Sequence, residues 1–244
     1  MIRLIFAGIF VVLFLLVSYI LFFIEWIIGI INKNAKDISC LRIVQWAARI
    51  VLRLSGVKMT VIGKENIPNE TALFVANHRS FFDILVLYVQ CTRLTGFVAK
   101  DSLKKVPSFR VWMKHLYCLF LDRKDIKQGL QIILQAIEYI KQEISICIFP
   151  EGTRNTGEEL SILPFKEGSF KIALKTGCPI VPVSINNTAD ILENHFPWIR
   201  KTHVIIEYGQ PIYPKDLNRD EQKVIGATCQ NLIQDTIKKN ASAF

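Results

Sequence analysis

The sequence contains no pattern that is typical of a metal or redox site. Its six cysteines, at positions 40, 91, 118, 147, 178 and 229, are never closer than 27 residues, and there is no HExxH motif or close cluster of cysteine and histidine. These absences exclude a CxxC pair, and we expect no metal. Because several cysteines lie inside apolar runs, they are expected to act as small core residues, which favours a reducing compartment.

The N-terminal segment almost completely lacks charge. Residues 4–24 carry no charged side chain, and Glu25 is the only one within residues 4–31. As a helix these 28 residues would be roughly 42 Å long, against about 30 Å of bilayer hydrocarbon, so the segment is long enough to span, tilt or bend. A cleaved signal peptide fits less well, because the run is too long and no A-x-A-like site follows it. We expect a hydrophobic, membrane-anchoring helical segment.

The distribution of charge also indicates a membrane. The chain has a net charge of +9, and residues 1–58 hold seven basic and two acidic side chains. A basic and apolar N-terminal quarter is more typical of anionic lipid than of nucleic acid, and no nucleic-acid partner is expected. Basic residues follow the apolar run at Lys33, Lys36 and Arg42, whereas Arg3 stands almost alone before it. The positive-inside rule therefore places the rest of the chain on the cytoplasmic face, at the inner membrane if the cell is bacterial.

Residues 38–54 have the 3.6-residue period of an amphipathic helix. The stripe consists of Leu41, Val44, Ala48, Val51 and Leu52, and three arginines lie largely off it: Arg42, Arg49 and Arg53. Two interpretations remain open. We favour a helix in the membrane interface with its arginines toward phosphate head groups, and the alternative is a helix packed on the domain.

Short apolar runs alternate with helical patterns in the rest of the chain. The runs are residues 71–76, 96–99, 117–121, 145–149, 179–185 and 203–209, and the helical patterns are 125–142, 167–175 and 219–239. This alternation is typical of the α/β class, with a largely parallel central sheet flanked by helices. No internal repeat or low-complexity linker is visible. We therefore predict membrane-inserting or interfacial helices in residues 1–58 and one α/β domain in residues 59–244.

The first polar cluster is NHRSFFD, at residues 77–83, directly after an apolar run. Ser80 and Asp83 have the spacing of a helix cap with an acidic residue in the first turn. The same turn would let the Asp83 carboxylate reach His78, fix its tautomer and stabilise its imidazolium form. A general-base dyad and a simple cap are both open at this point. For the other three histidines we expect surface or structural roles. His203 and Glu207 are four residues apart, but a strand would separate them by roughly 13 Å, and neither His115 nor His195 has a carboxylate at a spacing that a turn would bring together.

The second polar cluster is FPEGTR, at residues 149–154. Gly152 is able to present its N–H closely to an oxyanion, and Arg154 to hold an anionic substrate. The alternative is a β-turn with a solvated arginine. Between the two clusters, residues 93–127 hold nine basic and three acidic side chains, including Arg123 directly after an apolar run. This excess fits a phosphate-bearing substrate, although a solvated face has the same composition.

Four ordered blocks together resemble the glycerolipid acyltransferase family, most closely its bacterial 1-acyl-glycerol-3-phosphate acyltransferases. The blocks are NHRSFFD at 77–83, FLDR at 120–123, FPEGTR at 149–154 and PIVPVSI at 179–185. PFKEGSF at 164–170 also resembles the stretch that follows the third block. The resemblance covers roughly residues 40–215. One position departs from the family pattern: the second block usually begins with glycine, and this chain has Tyr117 there.

The resemblance assigns roles to individual residues. It implies that His78 is the base, that Asp83 is its partner and that the Gly152 N–H holds the thioester oxyanion. It implies phosphate contacts for three cations: Arg123, Arg154 and Lys100. Glu151 matches a position tied to activity.

The reaction implied is transfer of a fatty acyl group from a thioester to the sn-2 hydroxyl of lysophosphatidic acid, which gives phosphatidic acid in phospholipid biosynthesis. No cofactor is expected, and the acyl donor is acyl-CoA or acyl carrier protein. A thioester is already activated, so a base and a positioned hydroxyl suffice, and Ser80 as an acylated nucleophile is the less simple alternative. The competing functions are transfer to another lysophospholipid or an ornithine-type lysolipid, hydrolysis, and lipid binding without catalysis.

Overall fold

A computed structural model describes residues 1–122 and 125–242 of the chain. It begins with a helical hairpin, α1 (Ile2–Ile31) and α2 (Lys33–Ser55). Asn32 separates the two helices with an extended backbone, and its side-chain oxygen accepts a hydrogen bond of 3.0 Å from the Ala35 N–H, which caps α2. Among the described residues, α1 is the one helix long and apolar enough to cross a membrane. Most of its large apolar side chains are exposed.

In the part of the chain that the structure describes, seven strands form one sheet in the order β1-β7-β6-β2-β5-β3-β4. They are β1 (Lys58–Ile62), β2 (Leu73–Ala76), β3 (Thr95–Lys100), β4 (Leu119–Leu121), β5 (Ser145–Ile148), β6 (Ile180–Asn186) and β7 (His203–Tyr208). Five strands, β2 to β6, run parallel. The β7 strand pairs antiparallel with β6 and parallel with β1, so the outer pair runs the opposite way.

Helices cover both faces of the sheet. They are α3 (Phe82–Tyr88), α4 (Pro107–His115), α5 (Ile126–Lys141), α6 (Lys171–Thr176), α7 (Arg219–Lys223) and α8 (Ile225–Ala241). One core cluster joins the sheet to α2, α3 and α4, and a second joins it to α5, α6 and α8. Because β2, β5 and β6 lie between these layers, nearly all of their residues are buried, which explains their continuous apolar sequences.

The predicted fold class, a largely parallel sheet flanked by helices, is confirmed. The expectation missed β1, because KMTVI alternates exposed and half-buried residues at the sheet edge instead of forming an apolar run. The pattern at 219–239 is two helices that meet at Val224, and the pattern at 167–175 opens with a 3-10 turn before α6. The division between residues 58 and 59 stays a prediction, and it falls beside the first residue of β1.

The apolar stripe of α2 packs on the protein, which is the interpretation that we did not favour. Leu41, Ala48 and Leu52 are buried in the core cluster shared with α3 and α4. The three arginines of α2 are exposed: Arg42, Arg49 and Arg53. The amphipathic pattern alone could not decide this, because a domain core and a bilayer select the same apolar side chains.

Candidate active site

The parallel strands bring the two polar clusters to one edge of the sheet. β2 and β5 are neighbours, and Val75 is paired with Ile148. The chain therefore leaves both strands at the same edge, with residues 77–83 after β2 and residues 149–154 after β5. A cleft of about 840 Å³ opens there, and four of the predicted site residues are among those that line it: His78, Lys100, Gly152 and Arg154.

His78 and Asp83 form a hydrogen-bonded pair in the wall of this cleft. The His78 Nδ1 and the Asp83 Oδ2 are 2.8 Å apart, and Asp83 is fully buried. Because the carboxylate accepts, Nδ1 carries the proton, and Nε2 is the nitrogen left to accept one. Among the described residues Nε2 has no hydrogen-bond partner. The geometry is that of an oriented general base.

Four donors among the described residues hold the Asp83 carboxylate. Its Oδ2 accepts from the backbone N–H groups of Arg79 at 2.7 Å and Ser80 at 2.8 Å, in addition to His78. The Thr188 hydroxyl donates to Oδ1. These donors satisfy both carboxylate oxygens and fix the orientation of Asp83, which in turn orients the His78 ring.

Ser80 lies one residue before the N-cap of α3, which is Phe81, so Ser80 is not itself the cap that its spacing from Asp83 predicted. The first helical residue is Phe82, whose N–H donates to the Ser80 Oγ at 3.0 Å. The Ser80 hydroxyl itself donates to the Glu193 Oε2 at 2.7 Å. Because the hydroxyl is engaged as both donor and acceptor, this arrangement favours the structural role of Ser80 over that of a nucleophile.

Glu151 holds the backbone of the dyad. One carboxylate oxygen accepts from the His78 N–H at 2.6 Å, and the other accepts from the Leu163 N–H at 2.8 Å. Burial raises the pKa of Glu151 above its usual value of 4.5, while the two hydrogen bonds act in the opposite direction. Glu151 therefore links the first and third blocks through the main chain of His78.

Gly152 occupies a left-handed turn at the cleft wall. Its φ is +71°, a conformation that favours glycine, whereas the nearest atom to an added Cβ is the Lys166 Nζ at 2.6 Å, the flexible end of a side chain that can move aside. The Gly152 N–H donates to the Phe149 carbonyl at 2.9 Å, so the oxyanion role predicted for it requires that hydrogen bond to be shared. The next residue, Thr153, also lines the cleft, and its N–H has no acceptor within the described chain.

Arg154 lies at the rim of the cleft in contact with two partners. Its Nη1 is 3.2 Å from the Glu193 Oε1, and its guanidinium carbon is 3.8 Å from the centroid of the Phe81 ring. Lys100, the last residue of β3, is exposed and lines the same cleft. Arg123, predicted to bind phosphate, lies outside the described residues.

Tyr117, where the chain departs from the family pattern, has a left-handed backbone conformation. Tyr117 has a φ of +58°, the conformation for which a glycine is the usual choice. Its hydroxyl donates to Asp37 on α2, and its ring packs edge-on against Tyr139 at 5.3 Å. These contacts hold a residue that would otherwise be strained, so the entry to β4 keeps a glycine-like turn.

Comparison with known proteins agrees with this geometry. The family model described as Acyltransferase matches residues 58–186, just over half of the chain and both polar clusters. The chain belongs to this acyltransferase family. A solved 1-acyl-sn-glycerophosphate acyltransferase from Thermotoga maritima matches the acyltransferase fold with a TM-score of 0.76, over 98% of each chain and at 24% identity.

Two relatives of this acyltransferase carry related names. The 1-acyl-sn-glycerol-3-phosphate acyltransferase of Saccharomyces cerevisiae is 30% identical over 185 residues, which make up 75% of this chain and 61% of the yeast protein. A probable 1-acyl-sn-glycerol-3-phosphate acyltransferase of Mycoplasma pneumoniae is 30% identical over 198 residues, 76% of this chain and 73% of that protein. The chain therefore spans less than two thirds of the yeast protein's length.

Sequence reasoning missed two residues of the acyltransferase site. Thr188 binds Asp83, and Glu193 binds Ser80 and Arg154. Both lie in the loop after β6, more than 100 residues from the first block, and no local motif marks them. The expectation for His195 was also wrong in one respect: its Nε2 lies 3.6 Å from the Asp190 Oδ1, although it does not line the cleft.

Proposed function

We propose that this acyltransferase transfers a fatty acyl group from an acyl thioester to the sn-2 hydroxyl of 1-acyl-glycerol-3-phosphate, forming phosphatidic acid. The observation that carries the proposal is the buried His78 and Asp83 pair in a cleft that also contains Arg154. The names of its relatives support the acceptor.

His78 acts as the general base. Its Nε2 removes the proton from the acceptor hydroxyl, and Asp83, hydrogen-bonded to Nδ1, stabilises the imidazolium that results. The hydroxyl oxygen attacks the thioester carbonyl carbon and forms the new ester bond. The carbon–sulfur bond breaks and the thiolate leaves. His78 then transfers the proton that it took from the hydroxyl to this thiolate. No covalent enzyme intermediate is needed, because a thiolate is a good leaving group.

The glycine turn stabilises the negative charge that develops on the thioester oxygen. Gly152 and Thr153 line the cleft next to His78, and their backbone N–H groups are neutral donors in a fixed position. The Thr153 N–H has no acceptor in the described part of the chain, whereas that of Gly152 already serves the turn. We infer that the backbone N–H groups of this turn hold the oxyanion. The Gly152 N–H would then be shared between the oxyanion and the Phe149 carbonyl.

Cations at the rim bind the acceptor phosphate. Arg154 offers a planar donor group, and Lys100 a point charge, on the same cleft. We assign the same role to Arg123, because it belongs to the second block of the family pattern, FLDR at 120–123. Arg154 now pairs with Glu193 at a half-exposed position, where a phosphate dianion is the stronger partner.

The hairpin holds the acyltransferase at the membrane that contains its acceptor. The α1 helix presents a long apolar surface, and the exposed arginines of α2 suit anionic head groups. We infer that the helices enter the cytoplasmic leaflet, which lets the enzyme take a lysolipid without extracting it fully into water.

An acyl-transfer assay in lipid tests the proposal. Purified wild type and His78→Ala are each tested with three acceptors: lysophosphatidate, a lysophospholipid without a phosphomonoester, and an ornithine-type lysolipid. Each acceptor is combined with acyl-CoA or with acylated acyl carrier protein as the donor. The proposal expects phosphatidate from the wild type and a loss with His78→Ala. Preference for another acceptor would overturn the substrate assignment, and release of free fatty acid without any acceptor would indicate a hydrolase.

A further inference from the structure

The loop at residues 195–201 presents two aromatic side chains to the outside. Phe196 is 74% exposed and Trp198 is 52% exposed, whereas Ile199, next to Trp198, is buried in the core. Backbone hydrogen bonds fix the loop, from the Trp198 N–H to the His195 carbonyl at 2.7 Å and from the Arg200 N–H to the Ile191 carbonyl at 3.0 Å. The aromatic pair is therefore displayed by an anchored loop, and neither ring is needed to close the core.

This loop directly follows Glu193, the residue that connects the segment at residues 77–83 with the segment at residues 149–154. Glu193 accepts from the Ser80 hydroxyl at 2.7 Å and from the Phe81 N–H at 2.8 Å, and it pairs with Arg154. Phe81, which lines the cleft, is itself exposed. The aromatic loop is thus connected through one side chain to the rim of the active-site cleft.

The cations beside the aromatic pair lie near the C-terminal end of α2. Arg200 and Lys201 are exposed. At Gly56, the end of α2, a Cβ atom would lie 2.9 Å from the Lys201 Cγ and 3.4 Å from the Arg3 Cζ, so the loop meets the first turn of α1 there. The exposed arginines of α2 lie on the helix that ends at this point, namely Arg42, Arg49 and Arg53.

We propose that Phe196 and Trp198, with Arg200 and Lys201, form a second contact with an anionic bilayer that seats the cleft rim on the membrane. The inference rests on the proposed function and adds a surface outside the N-terminal helices. Aromatic rings next to cations suit the boundary between acyl chains and anionic head groups. The continuity with α1 and with the α2 arginines favours a lipid surface over a second copy of the chain.

Tryptophan quenching measures the contact directly. The full-length wild type and Trp198→Phe are reconstituted with phosphatidylcholine vesicles that contain phosphatidylglycerol, with and without bromine on the acyl chains. The proposal predicts that brominated lipid quenches a component of the fluorescence that is present in the wild type and missing from Trp198→Phe. Equal quenched fluorescence in both proteins would overturn it, because Trp198 would then not contact lipid.

Kinetics give a second measurement. For the double variant Phe196→Ser and Trp198→Ser we predict a rise of about tenfold in the KM for a long-chain acceptor in anionic vesicles. Turnover on a short-chain, water-soluble acceptor should stay within about twofold of the wild type. Leu232→Ser, which changes an exposed apolar residue of α8, is the matched control and should alter neither value.

Charge reversal separates lipid from other occupants. Arg200→Glu with Lys201→Glu should weaken the use of acceptor in anionic vesicles and have little effect in neutral ones, while the control Lys215→Glu has no effect. If the double serine variant instead changes the oligomeric state, the surface is a contact between copies and the proposal is wrong. If no variant, the wild type included, acylates either acceptor, the proposed function fails, and Trp198 quenching still decides the membrane contact.

Discussion

At the scale of single residues, Glu193 joins the first and third blocks of the site. It binds the Ser80 hydroxyl, the Phe81 N–H and the Arg154 guanidinium, although it touches neither His78 nor Asp83. We predict that Glu193→Ala lowers kcat/KM by about tenfold, since the removal of such hydrogen bonds costs roughly 1–3 kcal/mol. The steady-state kinetics of the purified variant measure this.

Asp190→Ala is the matched control for Glu193→Ala. Asp190 lies in the same loop and binds Asn194 and His195 instead of the reactive loops. Its replacement should leave kcat/KM within about twofold of the wild type, because a surface substitution away from the site has a small effect. Equal losses in the two variants would show that the loop is needed only for folding.

Glu151 provides a pH prediction. Burial raises its pKa in the folded chain above the usual 4.5, so the folded chain binds this proton more tightly than the unfolded chain does. The stability that this carboxyl contributes is therefore fully present below its usual pKa and is lost as the pH rises through the folded value. Glu151→Gln lacks this titration. Denaturant unfolding in detergent from about pH 4 to about pH 8 should show the wild type losing stability relative to the variant. A pH-independent difference would contradict this.

Local spacing predicted the contact between His78 and Asp83, and the fold of the chain brought the remaining residues to it. His78 and Asp83 are five residues apart, so one turn brings them together whatever the distant chain does. Thr188 and Glu193 reach the same place only because β6 lies next to β2 in the sheet. The pairing of non-consecutive strands carries no local pattern, and these residues could not be predicted.

At the scale of elements, the buried amide of Gln45 on α2 forms hydrogen bonds at the C-terminal end of α3. Gln45 is fully buried, and its Nε2 donates to the Tyr88 carbonyl at 3.1 Å and to the Cys91 carbonyl at 2.8 Å. We predict that Gln45→Leu lowers the free energy of unfolding by about 1–3 kcal/mol, because both carbonyls lose their donor. Denaturant titration in a fixed detergent measures the change.

Arg49→Ala tests whether that loss is specific to the buried face of α2. Arg49 is exposed on the same helix, so its replacement should change the unfolding free energy by less than about 0.5 kcal/mol. If Gln45→Leu proves as mild as Arg49→Ala, the hairpin does not depend on this contact. The same two faces explain why the sequence identified α2 as amphipathic but could not decide whether its apolar side packs on the protein or on lipid.

At the scale of the whole molecule, the apolar surface of α1 predicts integral membrane attachment. The helix is 30 residues long, and most of its large apolar side chains face outward. We predict that the full chain stays with the membrane pellet after carbonate and after high salt and is released only by detergent, because hydrophobic insertion is insensitive to both. Release by carbonate alone would contradict insertion.

The strands that could be predicted from the sequence are those that are buried on both faces of the sheet. β2, β5 and β6 appear in the sequence as apolar runs because helices cover them on each side. The reversal of β1 and β7 was not predictable, since the edge strand β1 has an alternating pattern and direction leaves no trace in hydrophobicity. The class of the fold therefore followed from burial, and its strand order did not.

The most direct measurement of the central claim is the turnover of His78→Ala and Asp83→Ala on lysophosphatidate and an acyl thioester. If the pair is the general base, each variant loses about 10²- to 10⁴-fold in turnover. His195→Ala, which breaks a histidine–aspartate pair outside the cleft, should retain near-wild-type turnover. Near-normal turnover by either dyad variant would contradict the account.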